Sequence, residues 1–126
     1  MIPMPIVVAD DEPQVRKLIN VILTKRGYSV VEADNGLNTL AVIRALEGKV
    51  AALICDLVMP NLDGAALCKM VKQAFPSIPV LLISANPYLD DCHAGDGFLA
   101  KPFAPLALIT LVSDLCSHSA VMTVAV

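Results

Sequence analysis

The chain has 126 residues, 56% hydrophobic and 17% charged, with a formal net charge of −3 at pH 7. That length suits one domain with a real core, and its nine basic residues form no stripe of the kind that nucleic-acid binding requires. No apolar stretch approaches the roughly 18 residues of a membrane helix, and the opening Met1-Ile2-Pro3-Met4-Pro5 lacks the charged leader of a signal peptide. The cysteines, at 55, 68, 92 and 116, have none of the short spacings of zinc or redox motifs. Free, mostly buried thiols in a reducing cytoplasm are therefore expected.

Ile6-Val7-Val8-Ala9 is an apolar run that ends on Asp10, Asp11 and Glu12. Pro13, tolerated in a first helical turn, opens a stretch where Val15, Leu18, Ile19, Ile22 and Leu23 recur at helical spacing, and Gly27 closes it. Residues 28–33 read as a second strand, less apolar and so nearer the sheet edge. Asp34-Asn35-Gly36 is a turn, and residues 37–46 form a helix closed by Gly48. Ala51-Ala52-Leu53-Ile54-Cys55 is an unbroken apolar run, the signature of a central parallel strand buried on both faces, and it stops on Asp56. The Pro, Asn, Asp and Gly of residues 59–64 turn the chain into a helix over 64–75. Leu67, Met70, Val71 and Ala74 make its apolar stripe, and Pro76 ends it. A fourth strand over 79–83 ends on Ser84, and a short fifth over 97–100 ends on Lys101-Pro102. The last helix is predicted over 105–117, with Leu108, Leu111, Val112, Leu115 and Cys116 on one face. The folded core is expected over about 5–117, within a single domain. Residues 118–126 are a tail, β-prone and apolar, compatible with an edge strand or an interface.

Five strands alternating with helices call for a parallel sheet with right-handed crossovers and helices on both faces. In such a sheet all strand carboxyl ends lie on one edge, where open α/β folds hold their ligands. Strands one, three, four and five end on Asp10 and Asp11, Asp56, Ser84 and Lys101 respectively, so three carboxylates, a hydroxyl and an ammonium meet there. Crowded carboxylates repel one another unless a cation sits among them. Hard oxygen ligands with room for water suit Mg²⁺, and no His or Cys accompanies them to suggest zinc. The lysine can neutralise a carboxylate or grip an incoming oxyanion. Together these groups form a site for a phosphoryl group, with an Asp attacking phosphorus.

The chain resembles a response regulator receiver domain of two-component signalling, from about residue 5 to 117. The likeness is carried by Val7-Val8-Ala9-Asp10-Asp11-Glu12-Pro13 and by the segment from Asp56 through Met59-Pro60 to Asp63-Gly64. Ile83-Ser84-Ala85 and the run Gly97-Phe98-Leu99-Ala100-Lys101-Pro102-Phe103 complete it. The resemblance implies a doubly wound, flavodoxin-like sheet of order 2-1-3-4-5. It implies that Asp56 accepts a phosphoryl group from a phosphohistidine on a sensor histidine kinase or histidine phosphotransfer protein. Asp11 would bind Mg²⁺ directly and Asp10 largely through water, with Asp56 and the backbone carbonyl of Val58 as further ligands. Lys101 would pair with Asp56 and then with its phosphoryl group, aimed by a cis peptide bond before Pro102. Ser84 would hydrogen-bond the phosphoryl oxygen, Ala85 would leave room for it, and Gly64 would be a structural residue. Phe98 matches the switch aromatic that swings inward when Ser84 moves and remodels the face formed by helix four, strand five and helix five.

The sequence departs from the family pattern in the fourth crossover. Lys101 lies 17 positions after Ser84, a gap shortened by about one and a half helical turns. Helix four, whose only large apolar residues are Tyr88 and Leu89, is predicted to be short or irregular. Val58 offers no side-chain polar group to orient an attacking water, which predicts a long-lived phosphoryl-Asp. The chain would be no turnover enzyme, although it would assist its own phosphorylation and dephosphorylation. No DNA-binding segment follows the last helix, so output is expected through a downstream protein target or a homodimer. The alternative within the same fold is a phosphorylation-independent interaction module. A flavodoxin-like cofactor binder would want a Gly- or Ser-rich loop where Asp10-Asp11-Glu12 stand. A phosphatase with an Asp nucleophile would want a second Asp at position 12, which is Glu.

Overall fold

Each apolar run becomes a strand in the computed structural model. It describes residues 4–87 and 90–125, the side chains of 90, 92 and 118–125 excepted. In chain order these are β1 (Ile6–Ala9), α1 (Pro13–Lys25), β2 (Val30–Ala33), α2 (Gly36–Ala45) and β3 (Ala52–Asp56). Then follow α3 (Gly64–Ala74), β4 (Val80–Ser84), a 3₁₀ turn (Asp90–His93), β5 (Gly97–Ala100) and α4 (Pro105–Ala125). The sheet is wholly parallel, in the order β2-β1-β3-β4-β5.

Strand side chains alternate between the two faces. Val7, Leu53, Cys55, Val80 and Leu82 meet Leu40 and Ile43 of α2 and Leu67, Cys68 and Val71 of α3. Ile6, Val8, Ile54, Leu81 and Ile83 meet Ile19 and Leu23 of α1 and Leu108 and Val112 of α4. Each fully buried aliphatic side chain contributes about 1.5–3 kcal/mol, so the two layers fix the sheet and bring all its strand ends to one edge. Leu18 departs from the predicted α1 stripe and is half exposed, because positions 15, 19, 22 and 23 define the inward face without it.

The loops that approach the carboxyl edge are held locally. Asn35 and Asp63 cap α2 and α3 by accepting hydrogen bonds from the amides of Asn38 and Ala66, each at 2.8 Å. Gly64 starts α3 so close to the end of β3 that a Cβ there would stand 2.2 Å from the Asp56 carbonyl oxygen. Only glycine fits.

The crossover from β4 to β5 carries no α-helix among the described residues. The 3₁₀ turn of four residues replaces it, as the shortened gap predicts; Tyr88 and Leu89 lie outside the described residues. The C-terminal boundary needs correction. The backbone of α4 runs on through Ala125, eight residues beyond the predicted end at 117, rather than turning into a β-prone tail. Nothing after Pro105 supplies the Gly or Pro that stops a helix. Among the described residues no helix is long and apolar enough to cross a membrane.

Candidate functional site

Asp10 follows β1 and is fully buried. One carboxylate oxygen accepts from the Glu12 amide at 2.9 Å, and the other accepts from Lys101 Nζ at 2.9 Å. Its backbone carbonyl accepts from Arg16 Nη1 at 2.8 Å. Asp56 closes β3 and is 5% exposed. Its Oδ1 accepts from the Val58 amide at 2.9 Å and its Oδ2 from Lys101 Nζ at 2.6 Å, so the carboxylate cannot rotate without losing both. Lys101 therefore bridges the two strand ends, and a third, longer bond of 3.3 Å reaches Glu12 Oε1. Its own backbone is tied into the edge, since its amide donates to the Ser84 carbonyl at 2.8 Å. The Lys101-Pro102 peptide bond is cis.

Burial alone would lower the Lys101 ammonium. Its hydrogen bonds to Asp56 and Asp10 outweigh that cost and hold the group well above its ordinary value. Burial likewise pushes the Asp10 carboxyl up, against the hydrogen bonds from Lys101 and the Glu12 amide. The site thus concentrates more negative charge than one lysine can balance.

Carboxylate oxygens of Asp10, Asp11, Glu12 and Asp56 lie within 4.8 Å of one another. Four hard oxygen donors, whose carboxylates pair with Lys101 alone among the described residues, fit a divalent ion of the Mg²⁺ type. Glu12 was given no role by sequence reasoning, although its adjacency to the Asp10-Asp11 pair was the available signal. Val58 lies beside the cluster and is 65% exposed. Ser84 ends β4, is buried, and its Oγ accepts from the Asn86 amide at 3.1 Å. Ala85 is exposed. Phe98 in β5 pairs with Leu82 and packs, partly buried, against the layer formed by α2 and α3.

Residues 6–113 match the response regulator receiver domain family. This chain belongs to that family. The receiver domain is 33% identical over 126 residues to the transcriptional regulatory protein GlrR of Escherichia coli (strain K12), covering 96% of this chain and 28% of that protein. It therefore spans under a third of that relative's length. A putative response regulator from Chloroflexus aurantiacus J-10-fl superimposes with a TM-score of 0.83 at 31% identity, covering 92% of this chain and 99% of that one. The response regulator TrrA of Thermotoga maritima, solved in complex with Mg²⁺ and BeF, gives 0.79 at 26% identity, covering 89% of this chain and 98% of that one. The receiver fold accounts for the site's position: strand ends distant in sequence share one edge, and Lys101 reaches across it.

Proposed function

We propose that this receiver domain is a phosphoacceptor of two-component signalling, with Asp56 as the acceptor. The observation that carries this is Asp56 itself: a buried carboxylate locked between the Val58 amide and Lys101, at the mouth of an acidic cluster. A carboxylate oxygen of Asp56 attacks phosphorus, and a P–O bond forms as the P–N bond of a partner phosphohistidine breaks, its electron pair leaving with the imidazole nitrogen. Asp10, Asp11, Asp56 and the Val58 carbonyl would hold Mg²⁺, which supplies positive charge beside the equatorial phosphoryl oxygens. The Mg²⁺ of the TrrA complex supports that choice.

Lys101 already sits against Asp56, so it pairs with the new phosphoryl oxygens by a small shift. The Ser84 hydroxyl turns from the Asn86 amide to the phosphoryl group, with Ala85 offering no bulk in the way. Movement of Ser84 frees space for Phe98 to swing inward, altering the face around β5 and α4. Partners follow from this chemistry: a sensor histidine kinase or histidine phosphotransfer protein upstream, and a protein target or a second copy downstream, all in the cytoplasm. The domain assists its own phosphorylation and hydrolysis and is no turnover enzyme.

The test is intact mass after incubation with acetyl phosphate. A gain of about 80 Da, the mass of one phosphoryl, that needs both Mg²⁺ and Asp56 and is absent in Asp56→Asn, is the expected result. No gain in folded protein overturns the reading and leaves a phosphorylation-independent interaction module.

A further inference from the structure

The acidic loop is also held from behind, by groups that touch no reacting atom. Arg16 in α1 sends Nη1 to the Asp10 carbonyl and Nε to Glu32 Oε1, both at 2.8 Å. Glu32 stands in β2 opposite Val8, and its other oxygen accepts from Asn20 Nδ2 at 2.7 Å. Asn20 in turn accepts from Thr24 Oγ1 at 2.8 Å. The Arg16 side chain is 15% exposed, so this is a largely desolvated fork rather than a flexible surface pair.

A peptide unit is planar, so the Asp10 carbonyl and the Asp11 amide turn together. Holding that oxygen fixes the plane of the peptide and with it the position of the Asp11 Cα from which the side chain leaves. Asp10 has Lys101 and the Glu12 amide to orient its carboxylate, whereas Asp11 is exposed, so the placement of its backbone matters more. Glu32 has a second effect. Its carboxylate compensates the guanidinium, which would otherwise stand as a bare positive charge close to a cation site and oppose it.

We propose that Arg16 is a positioning residue for the cation site, acting through the Asp10–Asp11 peptide and kept charge-neutral toward the site by Glu32. The proposal rests on the reading of the acidic cluster as a Mg²⁺ site. Neighbours that orient metal ligands typically contribute 10- to 100-fold to affinity.

The experiment is a Mg²⁺ titration followed by the amide resonances of Asp11 and Asp56, on wild type, Arg16→Met and Arg16→Lys, well below each variant's thermal midpoint. Arg16→Met keeps the aliphatic stem, and its Mg²⁺ dissociation constant is expected to rise about tenfold or more. Arg16→Lys keeps the charge but lacks the planar fork whose separate nitrogens reach the Asp10 carbonyl and Glu32, and is expected to recover part of the loss. A purely structural Arg16 would lower the thermal midpoint and leave the affinity of the folded protein unchanged. Folded Arg16→Met binding Mg²⁺ within about twofold of wild type overturns the proposal. If Arg16→Met does not fold, Arg16→Lys decides: a rise of about threefold supports the proposal and wild-type affinity overturns it. A wild-type domain that binds no Mg²⁺ removes the cation site itself, and the proposal with it, a result distinct from equal binding by both proteins.

Discussion

Lys101 meets three carboxylates with its three ammonium protons, and two of those carboxylates are buried. In the proposed phosphoacceptor role Lys101 would turn toward the incoming phosphoryl group, and other charge, such as a divalent ion, would have to stand in for it at Asp10. How long the phosphoryl group then survives depends on water. Hydrolysis needs a water held in line with phosphorus, and Val58, whose amide donates to Asp56 Oδ1, flanks that position. Val58 is largely exposed but carries no polar side-chain atom. Val58→Asn supplies a donor and acceptor there and is expected to shorten the phosphoryl lifetime about tenfold, a modest share of what positioned polar groups achieve. Decay of the phosphorylated mass with time measures it, and equal lifetimes would sink the idea. The strand-end positions of Asp10, Asp56, Ser84 and Lys101 were legible in the sequence because each closes an apolar run. Arg16 was not, because its role needs Glu32 from β2 and a carbonyl six positions back, neither of which helical periodicity reveals.

The elements were legible wherever burial imposes a period. The stripes of α1 and α3 and the continuous apolar runs of β3 and β4 gave their type and approximate limits, while α4 ran on because no residue after Pro105 ends it. The shortened crossover was legible as a deficit of residues, but what holds it in place was not. Asp96 exchanges two hydrogen bonds with Val80, its amide to the Val80 carbonyl at 2.8 Å and its Oδ2 from the Val80 amide at 2.7 Å. Lys72 of α3 ion-pairs with the same carboxylate and donates to the Ile78 carbonyl at 2.8 Å. Cys68 of α3 donates to the Ala94 carbonyl at 3.4 Å. These contacts tie the short crossover to α3 and β4 in place of a packed helix. Asp96→Ala leaves the amide of fully buried Val80 without its side-chain acceptor, and should cost about 1–3 kcal/mol. The ion pair is partly exposed and adds little. Urea unfolding gives the loss, and hydrogen exchange at Val80 should accelerate with it. A loss below about 0.5 kcal/mol would mean that the clamp is incidental.

At the scale of the whole molecule, two apolar layers stabilise the sheet while its carboxyl edge opposes that stability. Asp10 and Asp56 lose their hydration on folding, and Asp11 and Glu12 crowd in beside them, with Lys101 alone among the described residues in direct contact as a counter-charge. The unfolded chain separates these groups, so a cation bound by the cluster binds the folded state and stabilises it by mass action. At free Mg²⁺ ten times its dissociation constant the gain is about 1.4 kcal/mol. For urea slopes of roughly 1–3 kcal/mol per molar, the midpoint should then rise by about 0.5–1.4 M. Asp11→Asn should lose most of that rise while unfolding normally without Mg²⁺, because Asp11 is exposed and contributes no core packing. General screening of like charges would also stabilise the edge, so the control is NaCl at matched ionic strength. If NaCl moves the midpoint as far as Mg²⁺ does, or if Asp11→Asn responds like wild type, the cluster is not a specific cation site and the edge is merely relieved by salt.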